Sequence, residues 1–443
     1  MDKDQLRKFR AALVEVDTAI APDDPRYVPG LHGSDDEDVI SALLEEILTR
    51  PALDSHLFYF SGQRGTGKST ELRRLEQLLL GEQAQVIRFD SLDFITETEK
   101  VTVESVLLLV TAGLAAWADA NYKQDFLHAS AWTRFSNWLQ SDVELTEFTA
   151  QGLKVKLKEQ QVSVATKIRN LSTPLEWTKK VQEFAGEIVE FIRQRTHRER
   201  VVVIVDSLER LRGVSGADQD AMFQHVITTF AGDFDRLRIP NASVVYSVPP
   251  YLALLADVRN FITCFSLASV RVYGKPIANG SPTTHRRQPR PEGLEKMRSL
   301  ITRRYADWEK VLDASALDTL AKASGGDLRH FMQRLVSGVV GKAQFALDRL
   351  PLREDDPLIK QVIDENRGET ERLTVQSEWP LLADIARTHN AIAADRGDSL
   401  RTMARLFDTR VILNYRNGAE WFDIHPLLWP LIDKLNEQPA TAT

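Results

Sequence analysis

Eight residues, GQRGTGKS from Gly62 to Ser69, match the pattern G-x-x-x-x-G-K-[ST] at every fixed position. The setting fits the string. An apolar run, Leu57 to Phe60, precedes it and reads as a buried strand. After it, TELRRLEQLLL places Leu72, Leu75, Leu78 and Leu79 at helical spacing. Glycines at 62, 65 and 67 allow the backbone to turn tightly with its N–H groups facing inward, and a side chain at these positions would block a phosphate. A helix beginning near Lys68 adds the positive end of its dipole. Lys68 supplies charge for β- and γ-phosphates, and the Ser69 hydroxyl can ligate Mg²⁺. The stretch Gly62, Gln63, Arg64, Gly65, Thr66, Gly67, Lys68, Ser69, Thr70 is therefore expected to bind ATP with Mg²⁺.

A loop of this kind has to be mounted on a sheet, and the chain supplies one. Strand-like runs occur at His56–Ser61, Gln85–Asp90, Val201–Asp206 and Ser243–Val248, with a shorter one near Phe261–Leu267. Helical patterns alternate with them. Such alternation predicts an α/β fold with a mostly parallel sheet and helices on both faces. A long insertion, about residues 120–198, separates the second strand from the third. Within it GLKVKLKE and QVSVATKI alternate apolar and polar residues, which predicts a small hairpin with Lys154, Lys156 and Lys158 on one solvated face.

The third strand, VVVIVD, is apolar until it ends in Asp206. A carboxylate at the end of a buried parallel strand lies where open α/β sheets bind ligands, and there it can hold Mg²⁺ through water. Hydrolysis also requires a group that orients water. Ser207 follows Asp206, and the next acid is Glu209, which is the expected base.

Further on, the pattern is helical from Glu292 to about Leu347, and residues 348–376 read as a polar linker. The last unit has helices around Leu381–Ala394 and Ser399–Phe407, then two alternating runs around Asn417-Gly418, a hairpin signal. Two helices and a hairpin resemble a winged-helix module.

Together these features resemble an AAA+ P-loop ATPase of the origin-recognition/STAND-like kind. The Asp206-x-x-Glu209 form is similar to the acidic motif of the STAND and KAP groups, whereas many AAA+ ATPases place a Glu directly after the Asp. Gly325 to Leu335, GGDLRHFMQRL, resembles the sensor 2 motif that opens a lid helix. The resemblance implies that Gly325 and Gly326 turn the chain, Asp327 caps the helix, and Arg329 faces the γ-phosphate. It also places Ser247 at sensor 1 and calls for an arginine from a neighbouring subunit. Arg259 is the first choice for that arginine, with Arg236 and Arg238 as alternatives. The implied layout is an N-terminal helical segment over residues 1–50 that leads into the nucleotide pocket with Tyr27 and Val28, an ATPase core over 51–272 carrying the 120–198 insertion, a basic loop and helical lid over 273–347, the linker over 348–376, and a winged-helix-like domain over 377–443. The implied activity is slow or partner-stimulated ATP hydrolysis in a molecular switch. Nucleotide-dependent self-association and a protein partner on the C-terminal domain go with it. Bacterial antiviral defence and mobile-element regulation are the settings such families suggest. A DNA-engaging ATPase and a non-hydrolysing nucleotide-bound scaffold are the alternatives, Ser207 favouring the second.

Charge separates these readings in part. Net charge is −7 over 443 residues, so the chain as a whole is no electrostatic nucleic-acid binder. Pro380–Leu435 balances seven Lys/Arg against seven Asp/Glu, which favours a protein partner over DNA there, with Trp421 and Trp429 as candidate anchors. Arg271–Arg304 holds nine Lys/Arg and two Glu, a local +7 that leaves DNA contact open. The single cysteine, Cys264, sits in an apolar stretch and is expected to be a core thiol; one cysteine excludes an intrachain disulfide. The charged N-terminus lacks a signal-peptide pattern, and the uncharged run Ser105–Ala118 is too short to span a bilayer. A cytoplasmic location with no membrane contact is expected.

Overall fold

Valine, isoleucine and phenylalanine dominate the predicted strands, and the fold uses them as strands buried on both faces. The computed structural model describes residues 1–14, 19–33, 37–94, 101–127, 133–134, 174–210, 216–254, 256–275, 287–391 and 398–437. The hairpin expected within 152–168, with Lys154, Lys156 and Lys158, lies outside the described residues. The chain forms two compact units.

One unit comprises Ile40–Ser61 and Arg74–Ser266. Its sheet has the order β2-β3-β4-β1-β5, built from β1 (His56–Gly62), β2 (Gln85–Asp90), β3 (Val201–Asp206), β4 (Ser243–Val248) and β5 (Thr263–Leu267). β2 pairs β3, β3 pairs β4 and β4 pairs β1, all in parallel. The fifth strand starts later than expected, because Phe261 ends a short helix, α7 (Ala256–Phe261). Cys264, on that strand, is half-buried instead of a core thiol. The span expected as an insertion opens and closes with long helices that belong to the core. They are α4 (Val103–Leu127) and α5 (Pro174–Thr196), which pack on each other. Leu107, Val110 and Leu114 of α4 are buried, as are Val181, Ala185, Ile188 and Ile192 of α5. α4 can lie close to β2 because Gly113 has no side chain: a Cβ there would fall 2.4 Å from the Phe89 ring. By length and composition α4 could cross a membrane over Val103–Lys123, yet 72% of its most apolar window is buried in the protein.

The other unit comprises Met1–Val39, Gly62–Arg73 and Leu267–Thr443. Leu6, Phe9 and Leu13, at helical spacing on α1 (Lys3–Val14), enter a core with Leu335, Val339 and Val340. The core is completed by α8 (Pro291–Thr302), α9 (Ala314–Ser324) and α10 (Ser337–Ala343). α9 begins where Asp313 accepts a hydrogen bond from the Ala316 N–H at 2.7 Å and ends at Gly325, left-handed at φ 62°. The stretch expected as a linker instead contains α11 (Pro357–Glu371). Asp356 caps it, Pro357 occupies its first turn, and Ile359 and Val362 are buried. The amphipathic spacing of Ile359 and Val362 outweighs the polar composition around them.

The C-terminal elements are α12 (Trp379–Thr388), α13 (Asp398–Asp408), β6 (Ile412–Asn417), β7 (Ala419–Ile424) and α14 (Trp429–Glu437). The hairpin turns at Gly418, φ 75°, with Asn417 opposite Ala419. Trp421 is 1% exposed and stacks on Tyr415 with ring centres 4.5 Å apart. Trp429 packs edge-on against Tyr273. Trp421 therefore belongs to the core and is not a surface anchor, whereas Trp429 is partly buried and packs against the core.

Candidate functional site

The octapeptide bridges β1 and α3 (Lys68–Gly81). Its three glycines take φ values of 157°, 91° and 92° at Gly62, Gly65 and Gly67, so Gly65 and Gly67 occupy backbone space that L side chains avoid. A Cβ on Gly62 would lie 2.9 Å from the Leu267 carbonyl oxygen, and one on Gly65 2.8 Å from the Arg329 Cβ. The Lys68 ammonium donates to the Gly62 carbonyl at 2.7 Å and to the Gln63 carbonyl at 3.1 Å. The Gln63 carbonyl also accepts from the Thr66 N–H and the Thr66 hydroxyl. Glycine positions that a side chain would obstruct, a lysine over the loop and a serine hydroxyl at the helix start form the donor set that a Mg²⁺-bound triphosphate requires, so these residues fit ATP.

Three expected neighbours lie in the same unit. Arg329 runs alongside Gly65, so the expected γ-phosphate arginine touches the loop. Asp327 accepts from the His330 N–H at 3.0 Å, which is the cap its sequence position predicted, and it pairs with Arg410 at 3.0 Å. Gly326, at φ 83°, could not carry a side chain, since a Cβ would fall 1.9 Å from the Val270 carbonyl oxygen. The helix after Arg329 departs from regular α geometry: His330–Val336 is a π-helical turn, a form frequent at functional sites. The Tyr27 hydroxyl donates to Glu71 in the first turn of α3 at 3.2 Å, and Val28 is buried in the core.

His32, which belongs to no sequence motif, also lies at the loop. Its Nδ1–H donates to the Ala268 carbonyl at 2.8 Å, which leaves Nε2 toward the loop, 3.8 Å from a Cβ built on Gly67. Burial first of all, and then Lys296, lower its pKa to about 4, against the pull of two backbone carbonyls. A lone histidine in a loop gives no local signal of this placement.

The acidic residues belong to the sheet unit. Asp206 ends β3 in register with Asp90, which ends β2. The Ser207 hydroxyl donates to Asp90 at 2.9 Å, and its N–H donates to Asp206 at 2.8 Å. Ser207 sits at φ 68°, unusual for a residue other than glycine. That left-handed step starts the turn Leu208–Arg210, in which Glu209 accepts a hydrogen bond from the Ser247 hydroxyl at 2.5 Å. Ser207 thus ties Asp206 to Asp90, and three residues after Asp206 a second bond holds Glu209 to Ser247. Asp90, like Asp206, closes a strand on aspartate, a signal the sequence also offers. Arg259 falls in α7; its side chain lies outside the described residues. Arg236 bonds Glu104 at 3.0 Å and the Thr178 hydroxyl at 2.6 Å, and Arg238 bonds Asp235 at 3.2 Å, so both alternatives are engaged within the unit.

In the basic segment Arg287 is buried, and most of the other described cations are engaged by groups of the same unit. Arg287 forms an ion pair with Asp423, both side chains 2% exposed, and its guanidinium lies 4.3 Å over the Trp429 ring. Arg271 pairs with Glu37 at 2.7 Å, Arg290 with Glu292 at 2.9 Å and Arg298 with Asp318 at 3.0 Å. The Lys296, Arg303 and Arg304 side chains donate to the carbonyls of Gly33, Pro25 and Arg26.

The parallel sheet, with the glycine loop between its β1 and α3, fits a P-loop NTPase core. No protein-family model matches the chain, and no curated protein matches it. Among solved structures it is similar to a Walker-type ATPase of Pyrococcus abyssi, at 14% identity and a TM-score of 0.36, over 90% of this chain and 95% of that one.

Proposed function

We propose that the chain binds and hydrolyses ATP and acts as a nucleotide-dependent switch of the AAA+, origin-recognition/STAND-like kind. The observation that carries the reading is the complete phosphate loop, Gly62–Ser69, with left-handed glycines between a strand and a helix. Lys68 and the loop N–H groups would hold the phosphates, Ser69 and Asp206 would hold Mg²⁺, and Tyr27 and Val28 would border the nucleotide. Mg²⁺, when bound, would neutralise charge that develops during phosphoryl transfer. Glu209 accepts the proton of an attacking water once it leaves Ser247, and Arg329 binds the γ-phosphate beside Gly65. Helices α8 to α10 serve as the lid and the C-terminal elements as a winged helix that docks a protein. Self-association follows nucleotide state, with Arg259 as the arginine acting in trans. Bacterial defence or mobile-element control is the proposed setting.

Lys68→Ala should abolish ATP binding in calorimetry while the protein stays folded; unchanged affinity would sink the reading. Glu209→Gln should slow turnover by about 10²–10⁴. The second reading, a scaffold that holds ATP without hydrolysis, is favoured by Ser207 after Asp206 and by the Glu209–Ser247 bond, which occupies the base. A turnover assay with and without DNA separates the two, and DNA stimulation would promote the DNA-engaging alternative.

A further inference from the structure

Gln63, a variable position of the phosphate loop, is 2% exposed and turned toward the C-terminal elements. Its amide nitrogen donates to the Phe407 carbonyl at 3.2 Å and to the Ile412 carbonyl. Its amide oxygen accepts from the Asn414 N–H at 3.4 Å. The partners settle the amide orientation, since two carbonyls can only accept and an N–H can only donate. Both amide protons are thus spent on backbone groups that lie more than 340 residues further along the chain.

The same residue is the hub of the loop. Its main-chain carbonyl accepts from Lys68 and twice from Thr66. The side chain that grips the hairpin and the carbonyl that shapes the loop therefore belong to one rigid peptide neighbourhood. The hairpin side is equally well tied. The Asn414 carbonyl accepts from the Ser269 N–H at 2.8 Å, and the Tyr415 hydroxyl donates to the Gly325 carbonyl at 2.6 Å, two residues before Asp327. β6 thus touches the phosphate loop directly and the turn that presents Arg329.

The geometry points to Gln63 as a positioning residue that makes the β6–β7 hairpin part of the phosphate site, so that ATP binding and hairpin docking strengthen one another. This rests on the ATP reading above and specifies its regulation: the C-terminal elements sense the nucleotide through the loop itself, in addition to any lid movement. The thermodynamics require reciprocity. If hairpin contacts hold the loop in its binding shape, bound nucleotide must hold the hairpin in place by the same free energy. The side chain is spent on the hairpin, so truncating it removes the coupling without removing a phosphate ligand.

Hydrogen exchange of full-length protein tests this, read at the Asn414 amide, which faces Gln63, against the Phe422 amide, which bonds the His389 carbonyl instead. In wild type, ATP·Mg²⁺ should slow Asn414 exchange about tenfold or more and leave Phe422 little changed. Gln63→Ala should speed Asn414 exchange without nucleotide, weaken ATP binding about tenfold in calorimetry, and abolish the ATP effect on Asn414. Wild-type protein that binds ATP with no change at Asn414 would overturn the coupling, whether or not the variant folds. Wild-type protein that binds no ATP would refute the nucleotide reading; the Gln63→Ala comparison without nucleotide then judges the clamp, and equal Asn414 exchange in both proteins would overturn it.

Discussion

Replacing Arg287 by methionine asks whether the basic segment is a strut or a surface. In the wild type, burial raises the Asp423 pKa from 3.8 to about 6, and Arg287 keeps it from rising further. Without the guanidinium the carboxyl has two bad choices, an unpaired buried charge or a retained proton. It takes the proton, and the cost relative to wild type grows by 1.36 kcal/mol for each pH unit above about 6. Below that value both proteins hold the proton in the folded state. There the loss reduces to the cation–π contact with Trp429 and the bond to the Ala386 carbonyl, about 1–2 kcal/mol. The expected loss is therefore about 1–2 kcal/mol near pH 5 and about 4 kcal/mol near pH 8. His389, 3.8 Å from Asp423 and lowered to about 4 by burial and then by Arg287, acts in the same direction, since losing the guanidinium eases its protonation at the acid end. Urea unfolding of both proteins at the two pH values measures this directly, provided the slope m is unchanged. An equal loss at both pH values would refute the reasoning, because the carboxylate would not depend on Arg287 for its charge.

Gly326→Ala should destabilise the protein by at least about 3 kcal/mol, because φ 83° is strained and the new Cβ collides with the Val270 backbone; a melting temperature within experimental error of wild type would contradict this. Acid should weaken the fold between about pH 6.5 and 4. Burial holds His32 and His389 at about 4 and depresses His330 and His425 as well, so the unfolded chain takes up protons that the folded one refuses. Asp423 opposes this from about 6 down to 3.8, where the folded carboxyl keeps a proton that the unfolded one releases, but it is one group against four; stability that rises as pH falls from 6.5 would reject the account. Changing Arg286, Arg287 and Arg290 to alanine together should lower stability without removing a salt-dependent DNA affinity. Tight DNA binding whose steep salt slope disappears in that variant would restore the segment as a DNA surface.

What could be read without a structure shares one property: its physics is contained in neighbouring residues. Gly65 and Gly67 announce a tight turn because only glycine reaches their dihedrals cheaply, and β3 announces itself by five consecutive buried aliphatic residues closing on Asp206. Asn417-Gly418 marks a hairpin, and Asp327 a helix start, for equally local reasons. Within 348–376 the signal for a helix is local as well, the Asp356-Pro357 cap before Ile359 and Val362. Other features were decided by residues far away in the chain. Arg287 looked like an exposed cation until Asp423, 136 positions later, took it into the core. Trp421 read as an anchor until Tyr415 covered it from across the hairpin. Gln63 passed for an ordinary loop position because its partners lie beyond residue 400, and Glu209 gives no sign in sequence of the Ser247 hydroxyl that holds it. A local pattern fixes a residue's own backbone preference, whereas the desolvation and hydrogen bonding of a polar side chain depend on which distant backbone or carboxylate the fold brings against it.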